Sequence, residues 1–316
     1  MPLPKAKLPL VVLLGPTAVG KTELSLQLAE RLGMEIISAD SRLLYRGMDI
    51  GTAKPSPQEL ARVAHHLVDV TDPDETWSLA RYQQAAHAAI VSINLSGKMP
   101  LLVGGTGQYL RATLQGWTPP ALKPNPGLRT ALEAWAAADG PEALHAQLAI
   151  LDPPAAAAID YRNLRRTVRA LEVLLSTGAA FSEQRSTQES PYAVLQIGLK
   201  RPRPELYARI DARIGAMLAA GWLDEIRALL AAGYDPELPS LSAIGYRQLI
   251  QHLRGELSLD EAVTLIKRNT RAFVRRQANW FKPDDPQIEW FEAGQGDVLE
   301  EIQLKVEEFL EDLVTD

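Results

Sequence analysis

Gly15-Pro16-Thr17-Ala18-Val19-Gly20-Lys21-Thr22 is the stretch that decides the fold, because it matches the pattern G-x-x-x-x-G-K-[ST] of a phosphate-binding loop. The apolar run 8–14 before it predicts a buried strand, and residues 21–32 after it show helical spacing. In this context the glycines let backbone N–H groups surround a phosphate, and the helix N-terminus favours its negative charge. Lys21 adds a mobile positive charge, and the Thr22 hydroxyl can ligate Mg²⁺ or a phosphate oxygen. The motif predicts a site for a diphosphate or a triphosphate without deciding between them.

The pattern around this loop predicts a parallel α/β sheet. Residues 34–40, 66–70 and 100–107 are predicted strands, and residues 78–95 show the apolar spacing of a helix. Strands that alternate with helices are typical of a doubly wound parallel sheet. We therefore expect an α/β core that resembles the P-loop NTPases.

The composition of the chain changes near residue 117. Residues 117–127 are proline-rich and predict a linker, and the stretch after them is rich in alanine with helical spacing. Residues 196–200 predict a return to the sheet. We therefore expect 117–192 to form an inserted all-helical domain, and 1–116 together with 193–316 to form the core. The remaining predicted helices cover 203–220, 222–232, 243–254 and 259–281.

The overall composition excludes several classes of protein. The 316 residues include no cysteine, which excludes disulfides, thiolate metal sites and cysteine nucleophiles. No apolar run approaches the ~20 residues that span a bilayer. The first ten residues also lack the apolar segment and cleavage site of a signal peptide. We expect a soluble, cytoplasmic protein with no membrane segment.

The formal net charge of −6 hides a strongly uneven distribution. Residues 162–169 carry four arginines and no acid, and 267–282 carry six basic residues and no acid, whereas 284–316 are strongly acidic. Basic stretches of this kind are compatible with binding to nucleic-acid phosphates. They are equally compatible with solvated helix faces.

A second acidic Mg²⁺ ligand would be expected in a P-loop kinase or ATPase. The candidates are Asp40, after the strand 34–40, and Asp69, within 66–70. The strand 100–107 ends in glycines and a threonine and offers no acid. At this point a kinase of a small metabolite stays open.

Six further blocks of the sequence match one known family in order. They are residues 38–55, 65–69, 104–110, 165–173, 207–217 and 243–248. Together with the phosphate loop they cover about residues 9–292, and they resemble the tRNA dimethylallyltransferases. Many members of that family have glutamine where this chain has Leu43.

The resemblance implies a reaction and a set of catalytic residues. Dimethylallyl diphosphate would bind at the phosphate loop with Mg²⁺ at Thr22, and the adenosine adjacent to the anticodon on its 3′ side would be flipped out of its stack. Its N6 would attack C1 of the prenyl group with Asp40 as the general base, and fixed cations would stabilise the leaving diphosphate. The catalytic residues implied are Asp40, Thr106, Arg209 and Arg213.

The tRNA partner is expected to be held through its phosphates and its unstacked loop bases. The predicted contacts are Asp40, Ser41, Arg42, Leu43, Arg129, Arg165, Arg166, Thr167, Val168, Arg169, Ser242, Ala243, Ile244, Gly245, Tyr246 and Arg247. The basic stretch 267–282 is a further candidate. We expect the protein to act as a monomer.

Two other functions stay open beside this one. A P-loop small-molecule kinase would transfer phosphate and would ignore dimethylallyl diphosphate. Prenylation of free adenine nucleotides, as in related cytokinin-forming enzymes, would use the same donor. The helical insert and the basic helix favour tRNA, because a free nucleotide needs neither. A non-enzymatic RNA-binding module does not explain an intact phosphate loop.

Overall fold

The computed structural model describes residues 7–117, 125–183 and 190–315, and side chains as far as residue 313. Most of the linker predicted at 117–127 therefore lies outside the described residues. The chain divides into two compact units, Met1–Leu114 with Ser190–Asp316, and Gln115–Glu189.

A six-stranded parallel sheet forms the centre of the first unit, counted over the described residues. The strands lie in the order β3-β2-β4-β1-β5-β6. Their bounds are β1 Leu8–Leu14, β2 Glu35–Ala39, β3 His65–His66, β4 Pro100–Gly104, β5 Tyr192–Lys200 and β6 Ile288–Glu292. In β1, every residue from Leu10 to Leu14 is fully buried, which a parallel strand covered on both faces requires. The predicted α/β class is confirmed.

The described residues form thirteen helices, four of which lie in the inserted unit. Their bounds are α1 Lys21–Leu32, α2 Pro57–Arg62, α3 Leu79–Leu95, α4 Gly107–Leu114, α5 Pro126–Asp139, α6 Pro141–Leu151, α7 Pro153–Ala158, α8 Leu164–Thr177, α9 Arg203–Ala219, α10 Trp222–Ala231, α11 Tyr246–Leu253, α12 Leu259–Gln277 and α13 Val298–Thr315.

The second unit contains α5 to α8 around a small apolar core of its own. Asparagine and aspartate side chains start three of these helices, because each accepts a hydrogen bond from a free N–H of the first turn. Asn125 accepts from Leu128, Asp152 from Ala155 and Asn163 from Arg166. Leu144 and Leu148 of α6 are fully buried in the core.

The predicted strand 66–70 is wrong beyond His66. Leu67 and Asp69 have positive φ values of 61° and 54°, which an extended strand does not allow. Two contacts hold this bend: the Asp69 backbone N–H donates to the Leu43 carbonyl oxygen at 3.1 Å, and the Asp69 carboxylate is ion-paired with Lys54. The chain therefore turns towards the segment after β2 and leaves the sheet.

Several helix and strand ends also differ from the sequence prediction. Helix 259–281 ends at Gln277, and helix 243–254 begins at Tyr246 because Gly245 has a φ of 99°. The return strand β5 begins at Tyr192, where it pairs with Leu8, so it overlaps the last residue of the predicted insert. The edge strand β6 and the acidic helix α13 were not predicted.

Candidate active site

The phosphate loop lies between β1 and α1, at the carboxyl end of the central strand. Gly15 has a φ of 153°, and a Cβ at this position would lie 2.7 Å from the Leu199 carbonyl oxygen. Ala18 at the top of the loop has a φ of 67°, which costs an alanine conformational energy. The loop therefore has a backbone shape that needs both the glycine and support from its neighbours.

Lys21 extends back over the loop from the first residue of α1. Its Nζ donates to the carbonyl oxygens of Gly15 and Pro16, both at 2.9 Å. Burial lowers the pKa of Lys21 to about 8; the Asp40 carboxylate raises it and the Arg213 guanidinium lowers it further. The charges of Lys21, Asp40 and Arg213 therefore interact at one site. An anion bound there would stabilise the protonated form of Lys21.

Asp40 is the first residue after β2, at the same edge of the sheet. One of its carboxylate oxygens, Oδ1, accepts the Arg42 backbone N–H at 2.9 Å, and its own N–H donates to Ser38 Oγ at 3.3 Å. The side chain is half-buried. A carboxylate held in this way keeps a fixed orientation while part of it stays accessible to a substrate.

Thr106 lies beside Asp40 because β4 is the neighbour of β2. Ala39 pairs with Gly104, and a Cβ on Gly104 would collide with the Ala39 carbonyl oxygen, so this close approach requires glycine. The Thr106 N–H donates to the Ala39 carbonyl oxygen at 3.2 Å, and its Oγ1 accepts the Ser41 N–H at 3.3 Å. Asp40 and Thr106, which are 66 positions apart in the sequence, thus lie close together at one edge of the sheet.

The two predicted arginines of α9 both reach this loop. Burial lowers the pKa of the half-buried Arg213; Asp40 raises it and Arg209 lowers it. Arg209 is exposed, and its Nε donates to the Ala18 carbonyl oxygen at 2.7 Å. The structure therefore brings together all four residues of the predicted catalytic set, whose individual roles stay predictions.

A third arginine, which was not predicted from the sequence, lies at the loop. Arg201 follows β5, and its Nε donates to the Val19 carbonyl oxygen at 2.9 Å while its Nη1 is paired with Glu205. Its position just after a strand that neighbours β1 was a usable signal. Arg201 and Arg209 both hold the backbone of the loop by its carbonyl groups.

A stacked pair of tyrosine rings contacts the end of β2, just before Asp40. The rings of Tyr82 and Tyr109 lie 3.7 Å apart with an angle of 15° between their planes. The Tyr82 hydroxyl donates to the Ser38 carbonyl oxygen at 3.0 Å, two residues before Asp40. Burial raises the pKa of both hydroxyl groups, so both stay neutral at physiological pH. We find no signal in the sequence that predicts this pair.

The predicted tRNA contacts of the first unit divide into exposed and buried groups. Ser41, Arg42 and Leu43 are half-buried, and Arg42 donates to the carbonyl oxygens of Pro239 and Ser240. In the loop 242–247 the exposed residues are Ser242 and Arg247, with Ile244 half-buried. The side chains of Ala243 and Tyr246 are buried, as is Gly245, so contact of these three residues with tRNA stays a prediction that their side chains do not support in this conformation.

The predicted contacts of the helical unit divide in the same way. Arg165 is exposed and Arg166 is half-buried on α8. Thr167 and Val168 face the apolar core with 0% and 3% of their surface exposed, so their contact with tRNA stays a prediction that their side chains do not support in this conformation. The remaining two arginines, Arg129 and Arg169, are both paired with the buried carboxylate of Glu172.

The residues at the loop fit a magnesium ion that is held partly by its substrate. Thr22 is exposed in the first turn of α1 and offers a hydroxyl oxygen to such an ion. Over the described residues there is no group of three or more His, Asp or Glu that could hold a metal by itself. Mg²⁺ typically uses one or two protein oxygens together with substrate phosphates and water, so this sparse set suits it.

Within the described residues, no helix is long and apolar enough to cross a membrane.

Fold and site together define a P-loop protein whose loop is surrounded by one carboxylate and several cations. The sequence matches the family model described as IPP transferase over residues 43–284, and the model described as isopentenyl transferase over 8–72. The chain therefore belongs to the IPP transferase family.

Named relatives extend over nearly the whole chain. The chain is 52% identical over 275 residues to a tRNA dimethylallyltransferase of Roseiflexus sp. (strain RS-1), covering 87% of this chain and 90% of that protein. A tRNA isopentenylpyrophosphate transferase from Bacillus halodurans has a similar structure, with a TM-score of 0.73, 40% identity and coverage of 98% of this chain and 99% of that chain. A eukaryotic dimethylallyltransferase acting on tRNA matches with a TM-score of 0.82, 26% identity and coverage of 97% and 80%.

Proposed function

We propose that this protein transfers a dimethylallyl group from dimethylallyl diphosphate to N6 of the adenosine adjacent to the anticodon, on its 3′ side, in tRNA. Diphosphate is the second product. The observation that carries the proposal is the convergence of Asp40, Thr106 and Arg213 with Lys21 on one phosphate loop. A carboxylate facing a cationic loop suits transfer from a diphosphate to a weak nucleophile.

The donor would bind with its diphosphate against the N–H groups of the loop and the N-terminus of α1. Lys21 would exchange its two carbonyl contacts for phosphate oxygens. Because an anion restores the full charge of a lysine whose pKa has been lowered, Lys21 would gain a proton on binding. Thr22 would hold Mg²⁺, which supplies neutralising charge to the diphosphate.

Asp40 would act as the general base on the acceptor. The amino group of adenine is a weak nucleophile, so a carboxylate that takes its proton lowers the barrier. N6 of the adenine forms a bond to C1 of the prenyl group, the bond from C1 to the diphosphate oxygen breaks, and the N6 proton passes to Asp40. The Arg42 N–H on Oδ1 would keep the carboxylate pointed at the acceptor.

The leaving diphosphate gains negative charge as the bond to C1 breaks. Arg213 is half-buried and interacts with the Asp40 charge, and Thr106 is hydrogen-bonded to the backbone on both sides of Asp40, so both would lie where this charge develops. Cations and donors that are already fixed in position stabilise such charge without reorganisation. Arg209 would contribute mainly by holding the loop through the Ala18 carbonyl group.

The acceptor would be held by exposed or half-buried basic and polar side chains. Arg165 and Arg166 would contact tRNA phosphates, while Ser242 and Arg247 would contact the flipped region. Leu43 would offer an apolar contact at the position where glutamine is common in relatives. We place the activity in the cytoplasm, where tRNA is available, and expect the protein to act as a monomer.

The decisive experiment is incubation with radiolabelled dimethylallyl diphosphate, Mg²⁺ and unmodified tRNA, followed by nucleoside analysis. We expect the label on N6 of the adenosine that follows the anticodon. Parallel reactions with AMP and ATP test the free-nucleotide alternative. Faster labelling of AMP or ATP than of tRNA would refute the proposed acceptor, and phosphate transfer from ATP without prenyl transfer would refute the reaction.

The helical unit offers a second, structural test of the acceptor. Replacing residues 117–189 with a short glycine-serine linker should leave pyrophosphate binding at the loop nearly intact, because the loop belongs to the other unit. Transfer to tRNA should fall steeply, since the flipped base would lose its positioning. Near-normal kcat/KM on tRNA would contradict the role of this unit in acceptor binding.

A further inference from the structure

Gln277 is a buried amide that lies between two segments of the candidate active site. It is the last residue of α12, and 5% of its surface is exposed. Its Oε1 accepts the backbone N–H of Thr17 in the phosphate loop at 2.9 Å, and its Nε2 donates to the Gly105 carbonyl oxygen at 3.0 Å. One side chain therefore joins the phosphate loop to the turn that carries Thr106.

The space around this amide is filled. A Cβ on Gly105 would lie 2.5 Å from Gln277 Nε2 and 3.0 Å from the Gly15 carbonyl oxygen. The Gln277 amide thus packs against the ends of β1 and β4 so closely that position 105 has room only for glycine. At this spacing a small movement of the amide must move either the phosphate loop or the turn after β4.

The position of Gln277 is itself fixed by the residues that follow it. The Trp280 ring packs on Gly107, where a Cβ would collide with it, and Arg111 donates to the Trp280 carbonyl oxygen at 2.8 Å. Gly107 and Arg111 belong to α4, which begins directly after Thr106. The end of α12 is therefore anchored on both sides of the turn.

We infer that Gln277 is a positioning residue for prenyl transfer, which sets the separation between the phosphate loop and the pair Thr106–Asp40. The inference rests on the proposed function, in which the loop holds the donor diphosphate and Asp40 faces the acceptor. A glutamine side chain ends in an amide that carries both a donor NH₂ group and an acceptor oxygen, and it is long enough to reach both backbone groups. Methionine has a similar length but would leave the Thr17 N–H and the Gly105 carbonyl group without this partner.

The test compares Gln277→Met with the wild type in steady-state kinetics and in calorimetric titration with magnesium pyrophosphate. We expect KM for dimethylallyl diphosphate and Kd for pyrophosphate to rise about 10-fold, and kcat to fall about 10-fold, because misplacement by about 1 Å can cost ~10²-fold. The KM for tRNA should stay within about twofold of the wild-type value, since Thr17 and Gly105, to which Gln277 is bonded, are not among the residues proposed to hold tRNA. Melting temperature is measured alongside.

Gln83→Met is the matched control. Gln83 is a half-buried glutamine of the same unit whose Nε2 donates to the Ala112 carbonyl oxygen at 2.8 Å, and it contacts neither the phosphate loop nor Gly105. Its replacement removes a comparable bond and should leave donor KM, pyrophosphate Kd and kcat near the wild-type values. Equal kinetic effects of the two variants would overturn the inference.

A purely structural role has a different signature. It would lower the melting temperature and the active fraction of Gln277→Met while the remaining protein kept the wild-type donor KM and pyrophosphate Kd. If Gln277→Met fails to fold, Gln277→Asn, which keeps an amide one methylene too short to reach both partners, is judged by the same criterion. Wild-type protein that binds pyrophosphate without transferring the prenyl group would refute the proposed function alone, because the pyrophosphate Kd of the variants still decides the inference.

Discussion

Replacement of Glu172 should destabilise the helical unit selectively. Its carboxylate is 0% exposed and accepts two hydrogen bonds from Arg129 at 2.9 Å, one from Arg169 at 2.7 Å and one from the Asn125 N–H at 2.7 Å. Burial raises its pKa, but the bonds from Arg129, Asn125 and Arg169 outweigh burial and lower it from 4.5 to about 2. That difference corresponds to about 3 kcal/mol of folding free energy at neutral pH.

Glu172→Gln keeps the shape of the side chain and removes its charge. We expect a loss of about 2–3 kcal/mol, at or below the lower end of the cost of breaking a buried ion pair, because the freed arginines can be hydrated. The Arg129 and Arg169 side chains are already 37% and 27% exposed. Since the folded pKa lies below the unfolded value, the stabilisation is complete above pH 4.5 and is lost as the pH falls from 4.5 towards 2.

Hydrogen exchange with mass spectrometry measures this effect in each unit separately. Peptides of α5 and α8 should lose protection in Glu172→Gln at pH 7, while peptides of β1 and β4 should keep it. Glu133→Gln is the control, because Glu133 is an exposed acid on α5 and its replacement should change little. Unchanged protection of α5 and α8 in Glu172→Gln would refute the assignment of this carboxylate as the centre of the unit.

Three further outcomes are expected. Asp40→Ala should lower kcat by ~10²-fold or more with little change in pyrophosphate affinity; collapse of that affinity with preserved single-turnover chemistry would make Asp40 a metal ligand instead. Because the pKa of Lys21 is lowered to about 8, pyrophosphate should bind with proton uptake near pH 8 and more weakly as the pH rises towards 10. Calorimetry in buffers of different ionisation enthalpy measures the uptake, and binding without it would contradict the assignment. Arg165→Ala and Arg166→Ala should each reduce the log–log salt slope of tRNA binding by about one unit; an unchanged slope would place them outside the interface.

The strand–loop–helix unit at the phosphate loop could be predicted because its signal is local. Glycine, lysine and threonine at fixed spacing determine the conformation of residues 15–22, and the buried run before them determines β1. The end of β3 could not be predicted in the same way. The run HLVDV at 66–70, with three apolar residues, is compatible with a strand, but here the positive φ of Asp69 accompanies its contacts with Leu43 and Lys54 elsewhere in the chain.

The contacts between residues of the candidate site also divide into those that the sequence predicts and those that depend on distant parts of the chain. That Asp40 and Thr106 lie at one edge of the sheet is a consequence of parallel strands whose carboxyl ends align. That Gln277 contacts Thr17 could not be inferred, since the two residues are 260 positions apart and a glutamine at a helix end carries no motif. The positions of Arg201 and Arg209 carried a signal, but the loop carbonyl groups to which they donate did not, because any residue offers such a group.

Two of the arginines predicted to contact tRNA are paired with an acid inside the helical unit. The run 162–169 contains no acid, yet Glu172 lies three residues after Arg169, on the same face of α8. Because Glu172 points into the unit, it pairs with that arginine and with Arg129 of α5, and two of the expected tRNA contacts are engaged in the fold. An arginine is therefore a better candidate for a phosphate contact when no buried acid lies within its reach, either on its own helix or on a neighbouring one. By that criterion Arg165 qualifies: Arg169 is its i+4 neighbour, and its side chain is exposed.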